Sequence, residues 1–201
     1  MSRVRLSSPL VLASASPRRK ELLANVGIDA LVEPVDADES PLPGESPRDY
    51  VGRVARLKLG VFLSRTSRTE GFALAADTTV EIDGEILGKP ETDAHAFEML
   101  RRLAGRTHEV STAVALGRIG EGLIGECLVT TRVRFRPCDD ATLRRYVETG
   151  EGRDKAGSYA IQGYGSALAE AIEGSYTNVV GLPVAETVAL LDDARALVSF
   201  P

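Results

Sequence analysis

Two arginines stand where the start of a helix ordinarily disfavours positive charge. Ser16 and Pro17 predict that start, as the N-cap and the first helical residue. Arg18 and Arg19 then fall in the first turn, where the helix dipole makes each cation unfavourable by roughly 0.3–1 kcal/mol unless an anion faces it. Free backbone N–H groups, two guanidinium groups and the hydroxyls of Ser14 and Ser16 predict a phosphate-binding cradle. The alternative is a pair of solvated surface arginines.

A lysine interrupts the apolar side of a predicted long helix. Ser46 and Pro47 predict its start, and the helix is expected to run to about Leu63. At about 100° per residue its apolar side chains cover one arc, and Lys58 falls inside that arc. Either the ammonium group follows the apolar surface out to water, or it reaches a cleft and contacts a phosphate oxygen.

An aspartate and a second lysine bracket a predicted β-hairpin. Asp77 follows the apolar strand predicted over residues 72–76. Folds of the α/β type tend to place site residues at such strand ends, where a carboxylate can bind a metal or deprotonate water. The alternative is an aspartate that caps a turn. Lys89 lies between Gly88 and Pro90 and is a candidate phosphate contact, with an ordinary loop lysine as its alternative.

The remaining pattern predicts the elements that position these groups within one domain, residues 1–201. A stripe of three arginines alternates with apolar residues in the second of two long strands, which is typical of a half-buried antiparallel strand with one solvated face. The stripe consists of Arg132, Arg134 and Arg136. Interspersed strands and helices predict an α/β fold with a mixed, partly antiparallel sheet. Helices are expected over 17–25, 46–63, 93–103, 140–148 and 183–197, and strands over 10–13, 29–35, 72–76, 79–82, 85–87 and two long segments before 136.

Composition narrows the function classes. The 201 residues carry a net charge of −5, so the molecule as a whole does not attract nucleic acid, and we expect no nucleic-acid partner. No segment approaches the ~20 apolar residues of a membrane helix. The apolar run before Ala15 is interrupted at Pro9 and is too short for a signal peptide. Cys127 and Cys138 match no metal-binding spacing, and two reduced thiols favour a cytoplasmic protein.

Taken together and in order, these segments resemble the Maf family of nucleotide pyrophosphatases. Each match is short, but the ordered set extends from Leu10 to about Leu191 and is highly specific. The matching segments are 14–23 (SASPRRKELL), 38–39 (DE), 76–80 (ADTTV), 88–90 (GKP), 154–163 (DKAGSYAIQG) and 173–183 (EGSYTNVVGLP).

The resemblance implies an inosine-triphosphate-pyrophosphatase-like fold: a mixed, partly antiparallel bent sheet flanked by helices, with two lobes around a deep central cleft, often in a homodimer. It also implies hydrolysis of a nucleoside triphosphate to the monophosphate and pyrophosphate with a divalent metal cation, Mg²⁺ or Mn²⁺. In this reading Asp77 is the general base or metal-linked carboxylate, and Glu39 is its metal-binding partner. The implied triphosphate clamp consists of Arg18, Lys58, Lys89 and Lys155.

Substrate choice is indicated by a shorter motif. Residues 161–163 (IQG) resemble the subgroup that acts on dTTP and UTP rather than on 7-methyl-GTP, and the amide of Gln162 can pair with the donor–acceptor edge of a pyrimidine. Arg18 and Thr78 occupy the other positions linked with specificity in that subgroup. Arg153 departs from the family pattern and is expected to add a cation near the cleft. Two alternatives stay open: a pyrophosphatase for modified purine triphosphates, and a non-catalytic nucleotide-binding regulator of septum formation.

Overall fold

The computed structural model describes residues 4–199. Nine strands and six α-helices make up its regular structure. The strands are β1 (Arg5–Leu6), β2 (Leu10–Leu12), β3 (Leu31–Val32), β4 (Phe72–Ile82), β5 (Glu85–Leu87), β6 (Thr107–Arg118), β7 (Gly122–Phe135), β8 (Ala169–Glu173) and β9 (Leu197–Ser199). The helices are α1 (Pro17–Asn25), α2 (Pro47–Arg65), α3 (Asp93–Leu103), α4 (Asp140–Glu148), α5 (Tyr176–Val180) and α6 (Val184–Asp193).

A seven-stranded sheet forms the centre of the molecule. Its strand order is β3-β2-β4-β6-β7-β8, with β5 paired to β4 beside β2. Strand β2 runs parallel to both β3 and β4, whereas all other pairs in this sheet are antiparallel. Strands β1 and β9 form a separate antiparallel pair. The predicted α/β class with a mixed, partly antiparallel sheet is therefore confirmed.

One side of β4 carries a gap between two neighbouring strands. Strand β6 pairs with β4 from Phe72 to Glu81. On the other side, β2 pairs with β4 only as far as Leu74, and β5 joins only at Val80. Residues 75–79 of β4 therefore have no paired strand on that side, and this gap is the floor of the cleft described below.

Small side chains let α2 approach the sheet closely. Ala73, Ala75, Ala113 and Ala115 are fully or almost fully buried against α2. The facing side of α2 carries apolar side chains spaced three or four residues apart, as a buried helical stripe requires. These are Val51, Ala55, Leu59 and Phe62. Lys58 lies in the same stripe, so this packing brings its ammonium group to the strand that holds Asp77.

Three predicted boundaries were wrong, each because tertiary pairing overrides the local pattern. Strand β4 does not end before Asp77 but continues to Ile82, since β6 supplies backbone partners throughout. The strand predicted over 29–35 shrinks to Leu31–Val32, because its only neighbour in the sheet, β2, is itself three residues long. The last helix ends at Asp193 rather than near Leu197; Arg195 has a φ of 55°, outside the right-handed helical region.

The other predictions of regular structure hold well. Helices α1, α3 and α4 have the predicted bounds, and α2 starts at Pro47 as expected. The arginine stripe on β7 is solvent-exposed, and two of its members form ion pairs with carboxylates of β8: Arg132 with Glu173 at 3.0 Å and Arg134 with Glu170 at 3.4 Å. Within residues 4–199, no helix has both the length and the apolar character needed to cross a membrane.

Candidate active site

A cleft of about 500 Å³ opens over the gap beside β4. Its walls come from the segment between β2 and α1, from α2, and from the loops that follow β5 and α4. The structure brings every residue predicted for the site to this one cleft, although the sequence distributes them over about 150 positions. These residues are Ser14, Ser16, Arg18, Arg19, Glu39, Lys58, Asp77, Thr78, Lys89, Lys155 and Gln162.

Two carboxylates converge on one ammonium group at the inner end of the cleft. The Nζ atom of Lys58 lies 2.7 Å from Oδ1 of Asp77 and 2.9 Å from Oε1 of Glu39. Lys58 and Asp77 are 9% and 7% exposed, whereas Glu39 is on the surface. Of the two readings of Lys58, the structure supports the one in which it reaches a cleft. A buried lysine held this way stabilises two negative groups that would otherwise repel each other.

Arg19 connects the start of α1 to the sheet by a hydrogen bond to Thr78 of β4. This side chain is 8% exposed and donates through Nε to the carbonyl of Gly181 at 2.8 Å, through Nη1 to Ser14 Oγ at 3.0 Å and through Nη2 to Thr78 Oγ1 at 3.1 Å. Ser14 Oγ also accepts the backbone N–H of Ser16 at 3.2 Å. Each nitrogen of Arg19 therefore already serves a protein acceptor, so its geometry favours a role in shaping the cradle.

Arg18 and Ser16 remain turned toward the cleft. Ser16 is the N-cap of α1 as predicted, but its side chain makes no capping hydrogen bond. Arg18 is half-buried, and its Nη1 atom lies 4.0 Å from an oxygen of Asp154. The pKa of Asp154 is lowered: partial burial opposes ionisation, but the hydrogen bond from Lys155 and the positive charges of Lys155 and Arg18 outweigh it.

Two further lysines stand at the opposite wall. Lys89 is exposed in the loop after β5. Lys155 is half-buried and donates to the backbone carbonyl of Glu151 at 2.6 Å and to the carboxylate of Asp154 at 2.5 Å. The expectation that Arg153 adds a cation to the cleft was wrong. Its guanidinium group turns outward, because the carboxylate of Asp93 at the start of α3 forms a bidentate ion pair with it. The Nε and Nη2 atoms of Arg153 donate to the two carboxylate oxygens at 3.0 and 2.8 Å.

The outer end of the cleft is formed by the loop that carries Gln162. The side chain of Gln162 is exposed to the cleft and makes no hydrogen bond within residues 4–199. Behind the loop, Tyr159 is buried, and its hydroxyl lies 2.8 Å from Nε2 of His108. Both rings also make edge contacts with Phe135. Burial lowers the pKa of His108 to about 4, so the imidazole is neutral near pH 7.

The negative charges of the cleft also raise the pKa of a tyrosine that lines it. Tyr50, at the start of α2, has its pKa raised to about 12 by burial and by the negative charges of Asp77 and Glu39. Neither Tyr50 nor Tyr159 was singled out from the sequence as a site residue. An aromatic residue two helical turns before Lys58 on the same face was the available signal for Tyr50.

The donor set fits a divalent cation that shares its coordination with a substrate. Within residues 4–199 no group of three histidine, cysteine, aspartate or glutamate side chains could hold a metal ion. Asp77 and Glu39 nevertheless present two carboxylates that touch one nitrogen atom and therefore lie close together. Mg²⁺ is commonly held by one or two carboxylates together with substrate phosphates and water.

Comparison with known proteins gives consistent matches along the chain. A family model described as "Maf-like protein" matches residues 9–194. A relative from Myxococcus xanthus named dTTP/UTP pyrophosphatase is 53% identical, over 92% of each chain. A relative of the same name from Anaeromyxobacter dehalogenans is 52% identical, over 90% of this chain and 92% of its own. A solved structure from Mycobacterium abscessus, a nucleoside-triphosphatase / dITP/XTP pyrophosphatase, covers 94% of this chain and 96% of its own at 14% identity and a TM-score of 0.41, too distant to bear on the assignment.

Proposed function

The chain belongs to the Maf-like family, and we propose from that premise that it hydrolyses nucleoside triphosphates, dTTP and UTP foremost, to the nucleoside monophosphate and pyrophosphate. The observation that carries the proposal is the convergence of Asp77 and Glu39 on Lys58. This cluster shares one cleft with the cations Arg18, Lys89 and Lys155. A water-activating carboxylate beside several phosphate-binding cations suits the cleavage of a phosphoanhydride better than simple binding.

In the proposed reaction, water attacks the α-phosphorus and the bond from that phosphorus to the bridging oxygen breaks. A carboxylate oxygen of Asp77 takes the proton of the attacking water, while the ammonium group of Lys58 keeps the carboxylate in place through Oδ1. Arg18, Lys89 and Lys155 bind the β- and γ-phosphates and stabilise the negative charge that develops on the leaving pyrophosphate. Backbone N–H groups at the start of α1 add a positive dipole to the same region.

We further propose that the reaction depends on Mg²⁺ or Mn²⁺ held by Asp77 and Glu39 together with phosphate oxygens. Such a cation would activate water as a Lewis acid. It would also neutralise part of the negative charge of the two carboxylates, which otherwise repels a triphosphate. The names of the relatives and the amide of Gln162 support pyrimidine selectivity. We also propose a cytoplasmic location, where nucleoside triphosphates are used, and assembly as a homodimer.

The decisive experiment measures pyrophosphate release from canonical and modified nucleoside triphosphates, with Mg²⁺ or Mn²⁺, for the wild type and Asp77→Asn. We expect metal-dependent release, fastest from dTTP and UTP, and a loss of about 10³-fold in kcat for Asp77→Asn, because an amide cannot accept the proton. Asp29→Asn, an exposed residue outside the cleft, is the matched control and should retain full activity.

Other outcomes would select the alternatives. A preference for modified purine triphosphates would overturn the choice of substrate but leave the reaction intact. A folded wild type that releases pyrophosphate from none of the triphosphates would exclude the enzyme and favour a nucleotide-binding regulator.

A further inference from the structure

Glu151 lies outside the lining of the cleft, yet its side chain holds the loop that carries Gln162. Oε1 of Glu151 accepts the backbone N–H of Tyr164 at 2.9 Å, and Oε2 accepts that of Gly165 at 2.8 Å. These two N–H groups belong to the first turn of a 3₁₀ segment, Gly163–Ala167, that begins directly after Gln162. Hydrogen bonds from backbone N–H groups to an ionised carboxylate are roughly twice as strong as those between neutral groups.

The main chain of the loop is built around this carboxylate. Gly163 has a φ of 67°, and a Cβ atom at this position would lie 2.0 Å from Oε1 of Glu151. At Gly165 a Cβ atom would lie 2.1 Å from the carbonyl oxygen of Ala160. Both positions therefore require glycine, and the loop folds back on itself with the carboxylate seated in its bend.

Two more hydrogen bonds lie close to this clamp, one on the loop and one at a proposed phosphate contact. The hydroxyl of Tyr146 accepts the N–H of Ala160 at 3.0 Å, which fixes the loop on the other side of Gln162. The backbone carbonyl of Glu151 accepts a hydrogen bond from Lys155, one of the proposed phosphate contacts. One residue thus supports base recognition through its side chain and a phosphate contact through its main chain.

We propose that Glu151 is a positioning residue for base recognition: it acts through the backbone of residues 163–165 to hold the Gln162 amide at the angle that distinguishes uracil and thymine from cytosine. The inference rests on the proposed function. Uracil and cytosine have the same shape and differ only in the hydrogen-bonding groups of one edge, so their discrimination depends on how well an amide is oriented. Gln162 has no hydrogen bond of its own within residues 4–199, and its orientation must come from the loop.

The test compares kcat/KM for UTP with kcat/KM for CTP in Glu151→Ala, Glu151→Gln, Gln162→Ala and the double variant Glu151→Ala/Gln162→Ala. Glu151→Ala should lower the UTP-to-CTP ratio about tenfold, since small misplacements of a recognition group have effects of this order. Glu151→Gln keeps one acceptor oxygen and should lie between Glu151→Ala and the wild type. Because Glu151 acts through Gln162, the double variant should match Gln162→Ala alone.

Control variants distinguish the loss of the two Glu151 hydrogen bonds from a general loss of structure. Glu148→Ala removes the same charge from an exposed residue three positions earlier and should leave the ratio unchanged. Amide hydrogen exchange should accelerate at Tyr164 and Gly165 in Glu151→Ala and not in Glu148→Ala. If Glu151→Ala fails to fold, Glu151→Gln carries the same comparison.

An unchanged ratio in the Glu151 variants, or a double variant whose effects multiply, would overturn the inference while leaving the proposed function standing. Unchanged exchange at Tyr164 and Gly165 would also overturn it, since the clamp would then be absent. A wild type that shows no preference for UTP over CTP would instead remove the assignment to dTTP and UTP, and the inference with it.

Discussion

The two ends of the cleft hold their side chains in different ways. At the inner end, Lys58 and Asp77 project from a long helix and a long strand that pack through small alanines, and their charged groups are buried in direct contact. At the outer end, Gln162 projects from a loop, exposed and without a side-chain partner in the described residues, and its position depends on hydrogen bonds to the backbone on either side.

We propose that this difference separates chemistry at the inner end from substrate selectivity at the outer end. Groups that move a proton must be placed to within a fraction of an ångström, and regular elements with a packed core provide that precision. A loop held by a few hydrogen bonds can change its sequence or shape without disturbing the core. We therefore expect changes at the inner end to lower the rate for every triphosphate, and changes at the outer end to alter which triphosphate is preferred.

The largest expected effect comes from removing the charge at the inner end. Lys58→Met keeps the apolar stem but leaves Asp77 and Glu39 facing each other without a cation. We expect kcat to fall about 10²–10³-fold, to a similar extent for UTP and CTP. Steady-state kinetics provide the measurement, and a cooperative melting transition confirms that the variant is folded. Lys20→Met, exposed on α1, is the control; more than a tenth of the activity left in Lys58→Met would contradict the inner-end assignment.

A second prediction concerns the buried support of the outer end. The pKa of His108 is about 4 in the folded protein and about 6.5 in an unfolded chain. The unfolded state therefore binds the proton first as pH falls, and stability present above about pH 6.5 is lost toward pH 4. Between pH 7.5 and 5 the wild type should lose about 2 kcal/mol of unfolding free energy more than His108→Phe does.

Urea unfolding at the two pH values measures that difference. Phenylalanine keeps a ring in edge contact with Phe135 and Tyr159. The variant also loses the hydrogen bond to the Tyr159 hydroxyl, but that loss does not change between the two pH values, so the pH-dependent difference reports the titrating group. His95→Phe, exposed on α3, should follow the wild type at both pH values. Equal losses in the wild type and His108→Phe would show that His108 does not titrate as its burial requires.

The third prediction distinguishes the two ends directly. Gln162→Ala should lower the UTP-to-CTP ratio of kcat/KM about tenfold, because the buried edge of the correct base loses its partner. Its kcat for UTP should nevertheless stay well above that of Lys58→Met. A uniform loss for all triphosphates, with the ratio intact, would place Gln162 in the reaction rather than in recognition.

The smallest effect is expected at Arg153, which faces away from both ends. Its ion pair with Asp93 is exposed to solvent and should contribute little to stability, and Arg153→Ala should change kcat/KM by less than about twofold. Arg18→Ala, which removes a guanidinium group that does line the cleft, is the positive control in the same assay. A large loss in Arg153→Ala would mean that this side chain turns inward when substrate binds.

Local signals in the sequence were enough for most of the helices, but only for part of the cleft. Proline marks the start of α1, proline and the Ser46 cap mark the start of α2, and glycine closes α1 and α3. Arg18, Lys58 and Asp77 were singled out from local patterns, whereas Glu39, Lys155 and Gln162 came from the family resemblance. Arg19, like Arg18, is a cation in the first turn of a helix, where positive charge is disfavoured. In the structure, however, its side chain connects α1 to Thr78 and Gly181 by hydrogen bonds. Charge pattern alone cannot separate the two, since it does not reveal which side chain points into the protein.

Two other features depend on contacts between distant segments. The polar run at 77–79 suggested the end of a strand, but β6 keeps β4 extended because backbone pairing does not depend on side-chain polarity. Glu151 follows a helix and a glycine with no periodicity to mark it. Its proposed role comes from a loop that begins 11 residues later, where Gly163 leaves room for its carboxylate. Neither contact has a local sequence signature.

The gap beside β4 has a consequence for association between chains. An unpaired strand edge ordinarily invites another polypeptide to add to the sheet, and proteins protect such edges with charge or cover. Here the open stretch at residues 75–79 is recessed between the ends of β2 and β5, in a cleft that Arg18, Lys89 and Lys155 also line. A small anionic molecule can enter that recess, whereas an incoming strand meets both steric and electrostatic resistance. The arrangement that we propose for nucleotide binding thus also opposes edge-to-edge aggregation.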